Sequence, residues 1–450
     1  MKKEEVLFSA EECEFRAELR DFLEREDAKG AEREIFEQDF YPRELYERLG
    51  KAGFLAPVLP AEFGGKEEEG GSKRGGSEGG GKLVYEAVLA EELGAACVPL
   101  AWIHSTSSYA YATILRYGSE EQKRRFLPAM KRGEKVGAVA ITEPEAGSDV
   151  MRIQTRAELR ARSGEFLLSG EKRNITNGSQ ADLLLVWAVT NPEVDPARGL
   201  SVFIVEPGEG GGPGEGGGEG FEVVEDFKLL GGFPGTVNSR LRFDELSVPR
   251  GNLLGEESGE NAGARILFDE LAVERVLYAA MLVGEARPVL ELAADYSAER
   301  EQFGTQISRF EAVSFKIADA AAKLEAAKLM IFYTARLLDA DAGFSAEKES
   351  AISKLLASEA FYEVAHSTLQ ILGSRGVSDE YPAEWAFRMA RLSMIPAGTN
   401  EIMRFIVQRE IYKERKQERK VKGKRKKENE EGSGQSVFRR LRKDYEDFTK

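Results

Sequence analysis

The sequence is poor in the residues that build disulfide-linked or metal-stabilised folds. Its 450 residues include two cysteines, Cys13 and Cys97, and two histidines, His104 and His366. Two cysteines this far apart form no recognisable disulfide framework, which fits a reducing compartment. The histidines are far from each other and lack the spacing of a metal site, so we predict no bound metal.

Long apolar runs are also missing, since no stretch approaches the roughly 20 residues of a membrane span. The first residues, MKKEEVLFSAEE, become acidic too early for a signal or transit peptide, so a cytoplasmic location is expected. The net charge of −15 argues against a nucleic-acid-binding protein. These shortages leave a globular protein without a membrane span, whose function must come from local motifs.

The periodicity of the sequence changes twice and predicts an α+β multidomain protein. Residues 1–135 show apolar residues at helical spacing, as in EECEFRAELRDFLERE, and predict an N-terminal helical domain. Residues 136–254 contain short β-rich runs such as VGAVAIT and predict a middle β-barrel or sandwich domain. Residues 255–412 return to long helical patterns, over 262–297, 307–340, 346–373 and 400–416, which predict a C-terminal four-helix bundle.

Three segments differ in composition from this layout. Residues 66–82 and 208–220 are Gly-rich, and we interpret them as a surface loop and a hairpin extension. Residues 413–450 form a basic, charged extension with 15 Lys and Arg against 8 Asp and Glu. A solvated or frayed helix is the expected structure of this extension, with binding to an anionic surface as the alternative.

Three short patterns carry chemistry. In AITEPEAGSDV (140–150), Thr142 and Ser148 follow a strand, where hydroxyls and a Gly-rich backbone suit a phosphate or heterocycle. In GEKRNITNGSQAD (170–182), Thr176 ends a second strand. In YSAEREQFG (296–304), Arg300 suits a phosphate and Phe303 a flat ring. Each pattern alone also fits an ordinary feature: a capped turn, an Asn-Gly hairpin, or a surface Arg with a core Phe.

Together with QILGSRG–EYP (370–382) and GTNEI (398–402), these motifs resemble those of the acyl-CoA dehydrogenase family, in the same order, over about residues 10–412. The resemblance implies an FAD enzyme that converts an acyl-CoA thioester to the trans-2-enoyl-CoA and passes electrons to electron-transfer flavoprotein. It also implies a homo-oligomer, a dimer or a tetramer, because cofactor residues come from a neighbouring subunit. The cofactor-binding residues that it implies are Thr142, Ser148, Thr176, Arg300, Phe303, Glu311, Gln370, Gly373, Thr399 and Glu401.

The catalytic base expected from the resemblance lies on a helix rather than in a loop. Many members of the family carry it immediately before the Gly-Thr pair, where this chain has Ala397. The subgroup that includes isovaleryl-CoA and long-chain acyl-CoA dehydrogenases has it directly before an arginine, where this chain has Glu274. We therefore predict Glu274 as the base, with Ser148, Arg275, Ala397 and Gly398 binding substrate. The alternative for Glu274 is a surface residue paired with a neighbouring helix.

Departures from the family motifs leave the electron acceptor open. Asn174 stands where the family usually has an aromatic residue beside the flavin, and Glu311 replaces a usual glutamine. Loss of the ring would change the exposure of the flavin to oxygen. Besides a dehydrogenase, the sequence therefore allows an acyl-CoA oxidase or a non-enzymatic assembly or binding protein of the same fold.

Overall fold

The computed structural model describes residues 4–57, 59–65, 83–208, 219–231, 234–340, 346–432 and 442. The Gly-rich segment 66–82 and most of the insert at 208–220 lie outside these residues, so the interpretations placed on them stay predictions. Among the described residues, no helix combines the length and the hydropathy that crossing a bilayer requires.

The N-terminal region is helical. Its helices are α1 (Glu4–Leu7), α2 (Ala10–Arg25), α3 (Ala28–Gln38), α4 (Arg43–Lys51), α5 (Leu83–Ala96), α6 (Val98–Tyr117) and α7 (Glu120–Lys131). Helix α2 begins after Ser9 because the Ser9 hydroxyl accepts from the Glu12 N–H, while the Glu12 carboxylate accepts from the Ser9 N–H at 2.8 Å. Helix α5 is buried on nearly all sides and packs against the long helix α8 described below.

The middle region is one curled sheet of seven strands. They are β1 (Gly137–Ala140), β2 (Arg156–Leu159), β3 (Phe166–Thr176), β4 (Leu183–Val189), β5 (Leu200–Val205), β6 (Phe221–Phe227) and β7 (Asn238–Val248), in the order β1-β4-β2-β3-β7-β6 with β5 on β4. Strand β4 is apolar throughout because both of its faces are covered: Trp187 packs on the helical side and Val186 on the sheet side.

The C-terminal region is the predicted four-helix bundle, formed by α8 (Gly263–Glu299), α9 (Glu311–Ala340), α10 (Glu347–Leu372) and α12 (Asn400–Gly432). A two-strand hairpin, β8 (Glu301–Gln302) and β9 (Thr305–Gln306), follows α8. A short helix that the sequence analysis missed, α11 (Ala383–Leu392), lies before α12. The predicted arrangement of helices, sheet and helices is confirmed, and α12 continues well past the predicted end at residue 416.

Candidate active site

The site lies where α8 meets the loop between α11 and α12. Arg275 of α8 is 6% exposed, and its Nε donates a hydrogen bond to the Ala397 carbonyl oxygen at 3.3 Å. Ala397 and Gly398 have φ angles of 56° and 90°, so this turn is left-handed at two successive residues. The sequence analysis predicted that Arg275 binds substrate, and its observed contact holds the loop against the helix.

Glu274 precedes Arg275 on α8 and is partly buried. Burial raises the pKa of its carboxyl to about 7, while the positive charges of Arg275 and Lys354 oppose that rise. Leu267 and Tyr278, at offsets of seven and four residues on the same helix, are buried beside it. No ion pair of Glu274 occurs among the described residues, so the alternative of a surface residue paired with another helix is not what the structure shows.

Lys354 of α10 is a buried lysine next to this loop. It is fully buried, and its Nζ donates to Asn400 Oδ1 at 2.9 Å, an oxygen that also accepts from the Ser358 hydroxyl at 3.0 Å. Burial lowers the pKa of Lys354 to about 7, helped by the positive charge of Arg275 and opposed by Glu401 and Glu274. The lysine therefore fixes the start of α12 and places a cation near Glu274.

Two strand ends carry the predicted flavin-binding hydroxyls. Thr142 follows β1 and Thr176 ends β3, and both are partly exposed. The Arg173 N–H donates to the Thr142 carbonyl oxygen at 2.9 Å, which joins the two strand ends. The Thr176 hydroxyl lies 3.0 Å from Asn238 Oδ1 on β7, which fixes its orientation. Thr142 therefore lies against β3, the strand that Thr176 ends.

The turn that follows β1 is locked by a buried ion pair. Glu143 Oε1 accepts from Lys172 Nζ at 2.9 Å and from the Thr155 hydroxyl at 2.6 Å. Lys172 is fully buried on β3 and also donates to the Ile141 carbonyl oxygen at 3.0 Å. Ser148 lies farther along this turn and is exposed. This part of the sheet therefore offers the hydroxyls of Thr142, Ser148 and Thr176 and an exposed turn, a donor set that fits a flavin.

Five of the predicted cofactor residues lie at the opposite end of the bundle, and all are exposed: Arg300, Phe303, Glu311, Gln370 and Gly373. The hairpin, the start of α9 and the end of α10 meet there around one small apolar cluster. Phe303 is 96% exposed. Since 26 residues of α8 separate Glu274 from Arg300, the two ends are about 39 Å apart. The structure does not bring these five residues together with Glu274.

The last two predicted cofactor residues begin α12. The Thr399 hydroxyl accepts from the Ile402 N–H at 3.3 Å and caps the helix, and Glu401 is exposed in its first turn. The N–H groups of a helix start suit a phosphate. These residues lie next to Ala397, so they belong to the same end of the bundle as Glu274.

Sequence reasoning missed three residues of this site: Lys172, Lys354 and Tyr109, whose hydroxyl is buried near Glu274. The two lysines could have been found in the sequence, because each occupies an inward position of a helix or strand whose other inward residues are apolar or small. Tyr109 left no such signal, because an aromatic residue on a buried helix is ordinary. Among the described residues, no group of three or more His, Cys, Asp or Glu side chains is placed to hold a metal.

Comparison with known proteins supplies the family. Models of the N-terminal, middle and C-terminal domains of acyl-CoA dehydrogenases match residues 9–134, 138–246 and 261–412. An acyl-CoA dehydrogenase of Bacillus subtilis (strain 168) is 35% identical over 402 residues, which is 88% of this chain and 97% of the relative.

Two solved structures have a TM-score of 0.79 with this chain. Butyryl-CoA dehydrogenase from Megasphaera elsdenii is 29% identical, with 90% of this chain and 99% of that chain covered. A structure described as that of the electron transferring flavoprotein of Acidaminococcus fermentans is 31% identical, with 90% and 98% covered. The chain belongs to the acyl-CoA dehydrogenase family, as its motifs predicted, and is an FAD-dependent oxidoreductase of acyl-CoA thioesters.

Proposed function

We propose that Glu274 is the base that removes the α-proton of the acyl-CoA thioester. The observation that carries this proposal is the pairing of α8 with the loop: Arg275 bonds Ala397, the position before the Gly-Thr pair, and that position offers no carboxylate. Glu274, the neighbour of Arg275, is a partly buried carboxyl group at this junction, whereas Glu401 is exposed. A pKa near 7 suits a general base at neutral pH.

Removal of the weakly acidic α-proton puts negative charge on the thioester oxygen, and the loop offers a group that can stabilise this charge. The Ala397 N–H donates no hydrogen bond among the described residues, and its carbonyl is held by Arg275. A free, fixed N–H can bond the thioester oxygen as negative charge develops on it. Arg275 is a positioning residue here, since it acts through the loop.

Bound FAD supplies the hydride acceptor for the β-hydrogen. We propose that Thr142 and Thr176 hold its ring and that Ser148 lies near both cofactor and substrate. Thr399 and Glu401 lie at the start of α12, where a helix N-terminus suits the pyrophosphate region. The protein would thereby hold the α- and β-carbons of the thioester between Glu274 and the ring, and orientation would be its main contribution.

The five exposed residues at the far end of the bundle support a second part of the proposal: they bind the FAD of a neighbouring subunit. Phe303 lies at the tip of a two-strand hairpin and is 96% exposed. Its ring meets that of Phe310 edge-on at 6.3 Å, which leaves most of its surface open for stacking. Because this end lies about 39 Å from Glu274, a homo-oligomer, a dimer or a tetramer, is needed to complete the cofactor site.

We propose that the chain is of the isovaleryl-CoA and long-chain type of the family, which the helix-borne position of the proposed base supports. We also propose electron-transfer flavoprotein as its electron acceptor. One observation favours a second candidate, an oxidase. Asn174 is exposed at a φ of 57°, where the family usually has an aromatic ring. An open flavin edge would let oxygen approach. Rapid reoxidation of the reduced protein by air would favour the oxidase, and slow reoxidation the dehydrogenase.

The experiment that tests the proposed function is anaerobic mixing of the purified FAD protein with a panel of acyl-CoA thioesters. We expect the flavin absorbance to bleach with at least one saturated acyl-CoA and the trans-2-enoyl-CoA to form in equal amount. A protein that binds FAD but is bleached by none of the thioesters would contradict the proposal.

A further inference from the structure

Lys354 of α10 is a fully buried lysine whose ammonium group has one hydrogen-bond partner among the described residues. Its Nζ donates to Asn400 Oδ1 at 2.9 Å. An ammonium group carries three N–H donors, and burying it with so few partners costs folding free energy. An unbranched apolar side chain would fill similar space without that cost, so stability alone does not explain a lysine at this position.

Asn400, the partner of Lys354, closes the loop that precedes α12. It is 4% exposed, and its Oδ1 accepts a second hydrogen bond, at 3.0 Å, from the Ser358 hydroxyl of α10. The Asn400 backbone N–H donates to the Met394 carbonyl oxygen at 3.0 Å. Residues 394–400 therefore form a closed loop whose end is fastened to α10 by two side chains.

This loop carries the Ala397 N–H, the donor proposed above for the thioester oxygen. On the α8 side the loop is held at one point, where Arg275 Nε donates to the Ala397 carbonyl oxygen at 3.3 Å. A single contact leaves a loop free to rotate about it. The direction of the Ala397 N–H therefore also depends on where the loop ends, which is at Asn400.

We propose that Lys354 is a positioning residue for the dehydrogenation: through Asn400 it directs the Ala397 N–H toward the thioester oxygen. This inference rests on the function proposed above. Misplacing a reacting or stabilising group by about 1 Å can lower a rate on the order of a hundredfold. A hydrogen bond to the thioester oxygen strengthens as negative charge develops, so its loss lowers the rate more than the affinity for acyl-CoA.

The test is a double-mutant cycle of Lys354→Met and Asn400→Leu, followed by anaerobic bleaching of the FAD-loaded proteins. We expect Lys354→Met to lower the bleaching rate at saturating acyl-CoA at least about tenfold. The acyl-CoA concentration that gives half of the maximal rate should change less than about threefold, because the ground state gains little from this bond. Asn400→Leu should cause a similar loss, and the double variant should be no slower than Asn400→Leu, because the lysine acts through Asn400.

A conservative variant separates positioning from folding. Asn400→Asp keeps an oxygen for Lys354, so it should restore most of the rate that Asn400→Leu loses, even if Lys354→Met fails to fold. Thr368→Val is the matched control, because Thr368 is a fully buried residue of α10 whose hydroxyl donates to the Val289 carbonyl oxygen at 3.2 Å, away from the loop. Its bleaching rate should stay within about threefold of that of the unchanged protein.

Three results would overturn the proposal. They are a Lys354→Met protein that bleaches at a near-normal rate, losses from Lys354→Met and Asn400→Leu that multiply in the double variant, and an Asn400→Asp protein as slow as Asn400→Leu. In each case the unchanged protein would still be bleached by an acyl-CoA. Failure of this inference is therefore distinct from failure of the proposed function.

Discussion

Arg275 Nε and the Ala397 carbonyl oxygen are joined by a hydrogen bond of 3.3 Å, and this contact brings together two parts of the chain more than a hundred residues apart. It fixes the left-handed turn at Ala397 against the helix that carries Glu274. With Glu274 as the proposed base, the carboxyl group on the helix and the small residue in the loop have one explanation, since the base is needed on only one side of the substrate.

The rate of flavin reduction should depend on pH through Glu274. Its pKa of about 7 means that the carboxylate, the form that accepts a proton, becomes dominant only above neutrality. The titratable and charged groups near it are Tyr109, Arg275, Lys354 and Glu270, which lies one helical turn away. We expect the anaerobic bleaching rate to rise about tenfold from pH 6 to pH 8, and stopped-flow measurements check it. A bleaching rate that does not change between pH 6 and pH 8 would mean that another group removes the proton.

The ionisation of Glu274 should also make the free energy of unfolding depend on pH. The folded-state pKa of Glu274 is raised from 4.5 to about 7, so the folded protein holds this proton more tightly than the unfolded chain. Its burial therefore costs nothing below pH 4.5, and the cost grows until the pH exceeds about 7, reaching up to about 3 kcal/mol. Glu274→Gln should raise the unfolding temperature more at pH 8 than at pH 5. An equal change at both values would contradict the raised pKa.

A buried ion cluster should support the N-terminal helices. Arg16 is 1% exposed and bonds Glu91 at 2.9 Å and Glu92 at 3.0 Å. Arg16→Met leaves both carboxylates with one cation fewer, so the free energy of unfolding should fall by about 3–5 kcal/mol. Arg20→Met is the matched control, because Arg20 bonds the same Glu92 but is 41% exposed. Urea titration measures both variants, and similar losses would show that burial of Arg16 is not the cause.

The stability that this ion cluster contributes should be lost at low pH. Arginine contacts lower the pKa of Glu92 from 4.5 to about 2, against the effect of burial. Folding therefore gains stability from this carboxylate above pH 4.5 and loses it progressively as the pH falls toward 2. We expect the loss on Arg16→Met to shrink between pH 5 and pH 2.5 in urea titrations. A loss that stays constant over this range would mean that Arg16 does not lower the pKa of Glu92.

The hairpin at the far end of the bundle should matter for cofactor retention. Arg300 and Phe303 are exposed there, so their removal should not disturb the fold. We expect Arg300→Ala with Phe303→Ala to weaken FAD binding at least tenfold in fluorescence titrations, while the unfolding temperature of the apoprotein stays unchanged. Glu301→Ala, in the same hairpin, is the control. An unchanged FAD affinity would show that Arg300 and Phe303 do not bind the cofactor.

The fold could be predicted from the periodicity of apolar residues, because the pattern changes from helical to alternating near residue 136 and back to helical near residue 255. Strand β4, LLLVWAV, is continuous in apolar residues, which is typical of a strand covered on both faces. Helix α11 escaped prediction since its ten residues follow Pro382 and show too few turns to establish a period. A helix was expected in the extension after residue 412, and α12 reaches Gly432. Its end point was not predicted, because its second half is charged on every side and has no apolar face.

The sequence predicted the residues of the site only where they belong to a recognisable motif. Glu274 and Ala397 were predicted together because one substitution explains the other, and the structure places their segments in contact. Lys354 and Tyr109 were not, since their role depends on packing between helices that are distant in sequence. The separation between Arg300 and Glu274 also needed the structure, because only a continuous α8 fixes it.

The most direct measurement of the central claim is single-turnover bleaching of the Glu274→Gln protein under anaerobic conditions at pH 8. FAD content and acyl-CoA affinity should match those of the unchanged protein, since Gln keeps the shape of the side chain, while the bleaching rate should fall at least about a thousandfold, in the range of general base catalysis. Glu270→Gln, one turn away, should bleach within about threefold of the unchanged rate with hexanoyl-CoA. A Glu274→Gln protein that bleaches at a near-normal rate would contradict the account.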